Sequence, residues 1–227
     1  MIPSEALTVN LLKAWRFLYR RGFIEGFGHL SARLPGTDRF LIVRHSLGPE
    51  ATAQDLLVMD LSGRKLEGQG DPPGEFPIHS EIYRARPDVM SVVHYHGLHS
   101  TAFTTVRGRV LKPIHLLGTI FHDGIPVYPD PRLVTDRTRG EALAKALGAH
   151  RAVLMRAHGA AVTGASVEET VAAAFLFEEN ARRAWVAAAL GRPAWLEAKA
   201  AASAGRELIE SGGPVRRVWA LVESESE

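Results

Sequence analysis

Ser91-Val92-Val93-His94-Tyr95-His96-Gly97 is an apolar, β-branched run that carries histidine at two alternate positions. Such a run reads as a strand, and a strand turns residues two apart to the same face. The imidazoles of His94 and His96 are therefore expected to point the same way, as two ligands of one ion must. Taken alone, the pair stays open between metal ligands and imidazoles that only fill a strand. A third histidine, His158, ends another apolar run, Val153-Leu154-Met155-Arg156-Ala157-His158-Gly159. Three convergent imidazoles form a divalent-metal ligand set that leaves coordination open for substrate. The spacing of His158 from the pair shows nothing by itself.

Outward from that strand, the chain alternates helical and extended patterns. Leu7, Leu11, Leu12, Trp15, Leu18 and Tyr19 recur at helical spacing, predicting an amphipathic helix from Ser4, its expected cap, to Arg21. Gly22, Gly26 and Gly28 break it. Phe40 to Val43 and Leu56 to Leu61 read as strands, with Ser62-Gly63 as a turn. Pro77 to Arg86 reads as a short helix opened by its proline and stopped by Pro87. Helices are also expected over His99–Val106 and Thr135–Leu147, with extended pieces at Val127–Pro129 and Ala152–Met155. Ser166-Val167-Glu168-Glu169 is a capping-box pattern opening an Ala-rich helix to about Leu190. Beyond Gly191-Arg192-Pro193 a helical tail over Trp195–Glu210 and a frayed acidic end over Glu223–Glu227 are expected. Helices mixed with short strands indicate a layered α/β domain.

The chain has 227 residues, 46% hydrophobic and 23% charged, enough to bury one full core. A formal charge of +2, with basic residues scattered among acids, does not support a nucleic-acid partner. Cysteine is absent, which excludes disulfides and thiolate chemistry. The segment Met1 to Arg21 lacks the pattern of a secretion signal, and no apolar stretch approaches membrane-spanning length. A soluble cytoplasmic protein with no membrane partner is expected.

Gly74-Glu75-Phe76-Pro77-Ile78-His79, then Arg86-Pro87-Asp88-Val89, His94-Tyr95-His96 and His158-Gly159 resemble the class II aldolase/adducin family, as does Gly28-His29-Leu30-Ser31-Ala32-Arg33. The similarity runs from about Ala6 to Leu190. It implies a three-layer α/β/α fold with a mixed, mostly antiparallel sheet over residues 1–190. Residues 191–227 would then form a helical tail packed on the same domain or on a neighbouring subunit. It also implies a homotetramer with sites between subunits, and one divalent metal ion per subunit (zinc, manganese, cobalt or iron). By the same resemblance His94, His96 and His158 match the metal ligands, and Glu75 matches the glutamate that serves the aldolases as acid and base.

These residue types suit one kind of chemistry. Breaking a bond beside a carbonyl or phenol leaves an oxygen anion, which a metal ion stabilises while orienting the substrate. Glu75 can alternate between weak ligand and proton acceptor, or it is simply an acid favoured at a helix N-terminus. His79, four residues on, either orients Glu75 or packs under the sheet. His99 and His150 are assigned to structure or surface, and His45 is unplaced.

The substrate is read from departures. Sugar-phosphate members carry Gly-Asn-x-Ser in the first glycine loop, where this chain has His29. Their Thr-Pro-Thr-Gly-like segment is replaced by Val43-Arg44-His45-Ser46-Leu47-Gly48, and Pro73-Gly74 replaces their serines before the glutamate. Donors suited to phosphate are thereby lost. The aldolases' proton-donating tyrosine has no match in Ile114-His115-Leu116-Leu117-Gly118, though His115 and His122 lie nearby. The Gly-His-x-Ser-x-Arg start looks like that of the family's decarboxylases of hydroxylated aromatic and pyridine carboxylates. His29, Ser31 and Arg33 are the expected substrate-binding residues, with Arg44 at the entrance. The leading expectation is a metal-dependent carbon–carbon lyase, a decarboxylase of a hydroxylated aromatic or heteroaromatic carboxylate. Alternatives are an aldolase on a hydroxy-carbonyl or sugar substrate, and an epimerase or dehydratase. A non-catalytic adducin-like interaction module is the remaining alternative, opposed by the presence of all three histidines and Glu75.

Overall fold

A computed structural model describes residues 5–226; the expected cap Ser4 lies outside them. The strands are β1 (His29–Arg33), β2 (Arg39–Val43), β3 (Leu56–Asp60), β4 (Lys65–Glu67), β5 (Ser91–Tyr95), β6 (Val127–Tyr128), β7 (Ala152–Met155) and β8 (Gly159–Gly164). They form one sheet in the order β4-β3-β2-β1-β5-β8-β7-β6. Every neighbouring pair is antiparallel except β6 with β7, so the sheet is mixed and mostly antiparallel.

Helices cover both faces. On one lie α1 (Glu5–Arg20), α3 (Leu98–Thr105) and α5 (Val167–Leu190), over a core that includes Leu30, Ala32, Val93, Tyr95 and Phe177. On the other, α2 (Pro77–Ala85) and α4 (Arg137–Leu147) close a second core with Ile42, Leu57, Val92, Ile82 and Leu143. The alternation of Leu30/Ala32 with His29/Ser31/Arg33 follows directly from the two-residue period of a strand. The three-layer α/β/α arrangement thus follows from a sheet that is apolar on one face and mixed on the other.

Caps set the helix limits. Ser166 accepts from Glu169 N at the start of α5, and Asp136 accepts from Arg139 N at the start of α4. The tail is two helices, α6 (Ala198–Ser211) and α7 (Gly213–Ser224), with Gly212 in the left-handed region between them. Here α7 lies against α1 and α5, and the acidic end expected to fray is helical as far as Ser224. Strands β1 and β8 are absent from the sequence reading, and β4 enters it only as the unbounded strand beyond the Ser62-Gly63 turn. No helix among the described residues is long and apolar enough to cross a membrane.

Candidate active site

Antiparallel register brings the chemistry to one end of the sheet. His29, first in β1, lies directly across from His94 in the adjoining β5. Strand β5 ends at Tyr95, so His96 stands just past it, and His158 occupies the turn before β8. That turn is tight. Ala157 adopts φ 51°, a left-handed conformation uncommon for a residue with a Cβ. At Gly159 a Cβ would lie 2.3 Å from Tyr95 O and 2.9 Å from His96 Cδ2, so only glycine lets β8 approach this closely. Gly28 serves β1 in the same way: its φ is +102°, and a Cβ would meet His94 O at 2.8 Å.

The structure brings together Glu75, His94, His96 and His158, whose ligand-capable atoms all lie within 4.8 Å of one another. His94 Nε2 is 3.1 Å from His96 Nε2, and Glu75 Oε2 is 3.4 Å from His158 Nε2 and 3.8 Å from His94 Nε2. The Nδ1 of His94 is 3.0 Å from the carbonyl of Ala160 and must donate to it, which leaves the lone pair on Nε2 facing the cluster. Both ring nitrogens of His158 are buried without a hydrogen-bond partner. Buried donors and acceptors are ordinarily satisfied, so this orphaned imidazole fits a site built to take an ion. The cluster could hold one divalent metal through three nitrogens and a carboxylate oxygen.

Glu75 arrives one residue before the Phe76 cap of α2, but it does not serve that helix's N-terminus. Its Oε1 accepts from Val134 N at 2.7 Å, tying it to the segment before α4. Burial raises this carboxyl; the imidazoles of His158 and His94 and the Val134 N–H more than reverse that, bringing it down to about 2. Glu75 is therefore an anion at neutral pH. Burial, then neighbouring imidazoles, push His29 well below the ordinary histidine value, and His79 falls to about 3 for the same leading reason.

A cavity of about 240 Å³ opens over the cluster, lined among others by Phe27, His29, Arg44, His45, Glu75, His96 and Leu133. A larger one of about 460 Å³ lies between α5 and the C-terminal helices. It contains no histidine, and its Arg151 and Glu169 are spent on each other.

Of the expected substrate contacts, His29 lines the cavity and Ser31 and Arg33 do not. Ser31 is fully buried, with its hydroxyl shared between His79 and Tyr83. Arg33 is carried to the far end of β1. There its Nε donates to Val89 O at 3.2 Å, and its other donors reach Tyr83 O and Arg86 O at the C-terminal end of α2. The two-residue period keeps all three on one face, while strand length carries the later two out of reach. The ring nitrogens of His79 bond to His29 and Ser31, which leaves neither for Glu75. His115 pairs with Asn180, His122 with Thr119 O and His99 with Glu178, and none of the three lines the cavity. His45, unplaced by the sequence, does line it, with Nδ1 2.6 Å from Ser46 Oγ. No periodicity announces a loop residue of this kind.

Residues 9–185 match the family model described as "Class II Aldolase and Adducin N-terminal domain". The chain belongs to this family. Among relatives of this class II aldolase/adducin protein is a 3,4-dihydroxyphthalate decarboxylase of Arthrobacter keyseri, 35% identical over 70% of this chain and 69% of that protein. A methylthioribulose-1-phosphate dehydratase of Pseudomonas savastanoi pv. phaseolicola is 31% identical over 78% of this chain and 95% of its own length. Among solved structures, an aldolase II superfamily protein from Pseudomonas syringae superimposes with a TM-score of 0.88 at 25% identity, covering 100% of this chain and 94% of that one. The lyase class of the sequence reading agrees with these relatives.

Proposed function

We propose that this class II aldolase-family protein is a metal-dependent decarboxylase of a hydroxylated aromatic or heteroaromatic carboxylate. The observation that carries the reading is the placement of Glu75: anionic, pinned by Val134 N–H and turned toward three convergent imidazoles, with His29 and His45 in the same cavity. The name of the Arthrobacter relative supports the substrate class.

His94, His96 and His158 would hold the ion, with Glu75 as a fourth group, and zinc, manganese, cobalt or iron suits such a donor set. When bound, a divalent cation supplies Lewis acidity that stabilises negative charge developing on a substrate oxygen. The chain's own groups do the rest. Arg44, whose Nε is paired with Asp55 at 2.8 Å, lines the mouth with His45, Phe27 and Leu133. Glu75 takes the proton of the substrate hydroxyl. The carboxyl of Glu75 returns that proton to the ring carbon that bears the carboxylate, giving the keto tautomer; the bond to the carboxylate carbon then breaks, carbon dioxide leaves, and the electron pair flows through the ring to leave an oxygen anion.

A second reading, dehydration or aldol cleavage of a sugar-like substrate, is favoured by the match to the dehydratase along 95% of its length. One experiment separates the two. Purified protein, assayed for bound metal, is offered hydroxylated phthalate-like and pyridine carboxylates and, beside them, hydroxy-carbonyl sugar phosphates, and carbon dioxide, aldehyde and dehydrated product are followed. Release that vanishes in His94→Ala supports the reading. Aldehyde or dehydrated product without carbon dioxide would replace it with the second. The same proposal includes a cytoplasmic location and a homotetramer, the assembly alone being supported by exposed Phe27, Leu98, Leu116, Trp185 and Leu190, and light scattering on the purified protein reads its mass.

A further inference from the structure

The face of β1 that presents His29 also presents Ser31, and α2 meets it with His79 and Tyr83. A strand advances about 6.7 Å over two residues and a helix about 6 Å over four. The two pairs therefore interleave as rungs of one ladder. Tyr83 Oη lies 2.7 Å from Ser31 Oγ, which lies 2.6 Å from His79 Nδ1; His79 Nε2 lies 2.6 Å from His29 Nδ1. All four residues are buried, and no carboxylate joins the ladder among the described residues.

A neutral imidazole has one donor nitrogen and one acceptor, so the links must all run the same way. Suppose His29 Nδ1 donates. His79 must then donate to Ser31, and between the Ser31 and Tyr83 hydroxyls one hydrogen is left without an acceptor. Run the other way, Tyr83 donates to Ser31, Ser31 to His79 and His79 to His29, and the one hydrogen left over, on His29 Nε2, opens onto the cavity and not onto the packed interior. A stranded buried hydroxyl hydrogen is the costlier arrangement.

We propose that Tyr83, Ser31 and His79 are positioning residues that hold His29 protonated at Nε2, as a hydrogen-bond donor into the cavity and not a further metal ligand. The ring of His29 is 4.9 Å from that of His94, centroid to centroid, yet His29 is not one of the four residues whose ligand-capable atoms converge. In the proposed tautomer Nε2 carries a hydrogen and cannot coordinate. Nor can the ladder serve as a proton supply: its far end is a buried phenol, which burial makes still harder to ionise. On the decarboxylase reading, on which this last step alone rests, the Nε2–H meets the substrate carboxylate.

Two-bond nitrogen–proton correlation spectra of the full chain, labelled with 15N-histidine and loaded with zinc, read the tautomer directly. His29, assigned by its loss in His29→Gln, is expected with a bare Nδ1 and a protonated Nε2. Ser31→Ala cuts the ladder and should leave His29 in a mixture of tautomers; Ser31→Thr keeps the hydroxyl and should restore the single one. Tyr83→Phe removes the phenol but leaves the Ser31 hydroxyl hydrogen with His79 Nδ1 as its acceptor, so it should keep the single tautomer, and the wild-type spectrum keeps the test independent of any one variant folding. In Ser31→Ala, kcat/KM for carbon dioxide release should fall ~10- to 100-fold with zinc stoichiometry unchanged. A wild-type His29 protonated at Nδ1, or a tautomer indifferent to Ser31→Ala, overturns the proposal. The expected tautomers in a chain that releases no carbon dioxide from any hydroxylated aromatic acid would uphold the ladder and end the decarboxylase reading.

Discussion

Glu75 divides its two oxygens between structure and chemistry. Oε1 accepts from Val134 N at 2.7 Å, while Oε2 stands 3.4 Å from His158 and 3.8 Å from His94. Glu75→Gln preserves the first function, since an amide oxygen still accepts from Val134, and removes the second. The variant should fold normally and keep its bound metal on the three histidines, while kcat falls by about 10²- to 10⁴-fold, the scale of a lost general base. Metal analysis beside steady-state kinetics checks it. Unchanged turnover would return Glu75 to a purely structural role. The His94/His96 pair was legible as two imidazoles on one face of a strand, whereas His158 and Glu75 joined it only through the resemblance to the class II aldolase/adducin family. Tyr83 and His45 were not legible: a tyrosine inside a helix reads as core, and a histidine in a loop has no pattern around it.

At the scale of elements, what was legible followed apolar periodicity, and what was missed lacked it. Strand β2 announces itself through Phe40-Leu41-Ile42-Val43, whereas all five residues of β1, His29-Leu30-Ser31-Ala32-Arg33, are buried although three are polar. Alternation of that kind reads as a solvated face, but here the polar face is satisfied by α2. Strand β8, Gly159-Ala160-Ala161-Val162-Thr163-Gly164, has little intrinsic strand preference, and its small residues admit the close approach of β5 and α5. At Gly164 a Cβ would lie 2.7 Å from Thr170 N, a constraint that only tertiary packing reveals. Arg33 shows what the polar face of β1 does. Its guanidinium sits 4.8 Å over the Tyr83 ring and donates to carbonyls at the end of α2. Arg33→Met should cost about 2–4 kcal/mol through carbonyls left unpaired, yet leave KM unchanged. Urea unfolding and kinetics on one preparation test this together. A raised KM at unaltered stability would restore Arg33 to the substrate site.

Across the whole molecule, the mixed face of the sheet stores uncharged imidazoles in its interior, and that choice has a pH dependence. His79 is fully buried and titrates near 3 when folded, against 6.5 for an ordinary histidine. His29 and His94 are displaced in the same direction, burial again being the leading cause. Below about 6.5 the unfolded chain binds protons that the folded chain refuses, so the stability present above that value is lost as pH falls toward 3. Each such group removes about 1.4 kcal/mol per pH unit within this window. Chelator-treated protein should therefore show urea midpoints that drop clearly from pH 7.5 to pH 5.5. His79→Gln, which has no group to titrate, should show a shallower slope whatever its absolute stability. Metal should steepen the loss further, since protons compete with the ion for the same nitrogens. Equal midpoints at the two pH values would mean that these imidazoles carry charge in the folded state. The ladder from Tyr83 to His29 could not then hold a single direction, because a doubly protonated imidazole donates from both nitrogens.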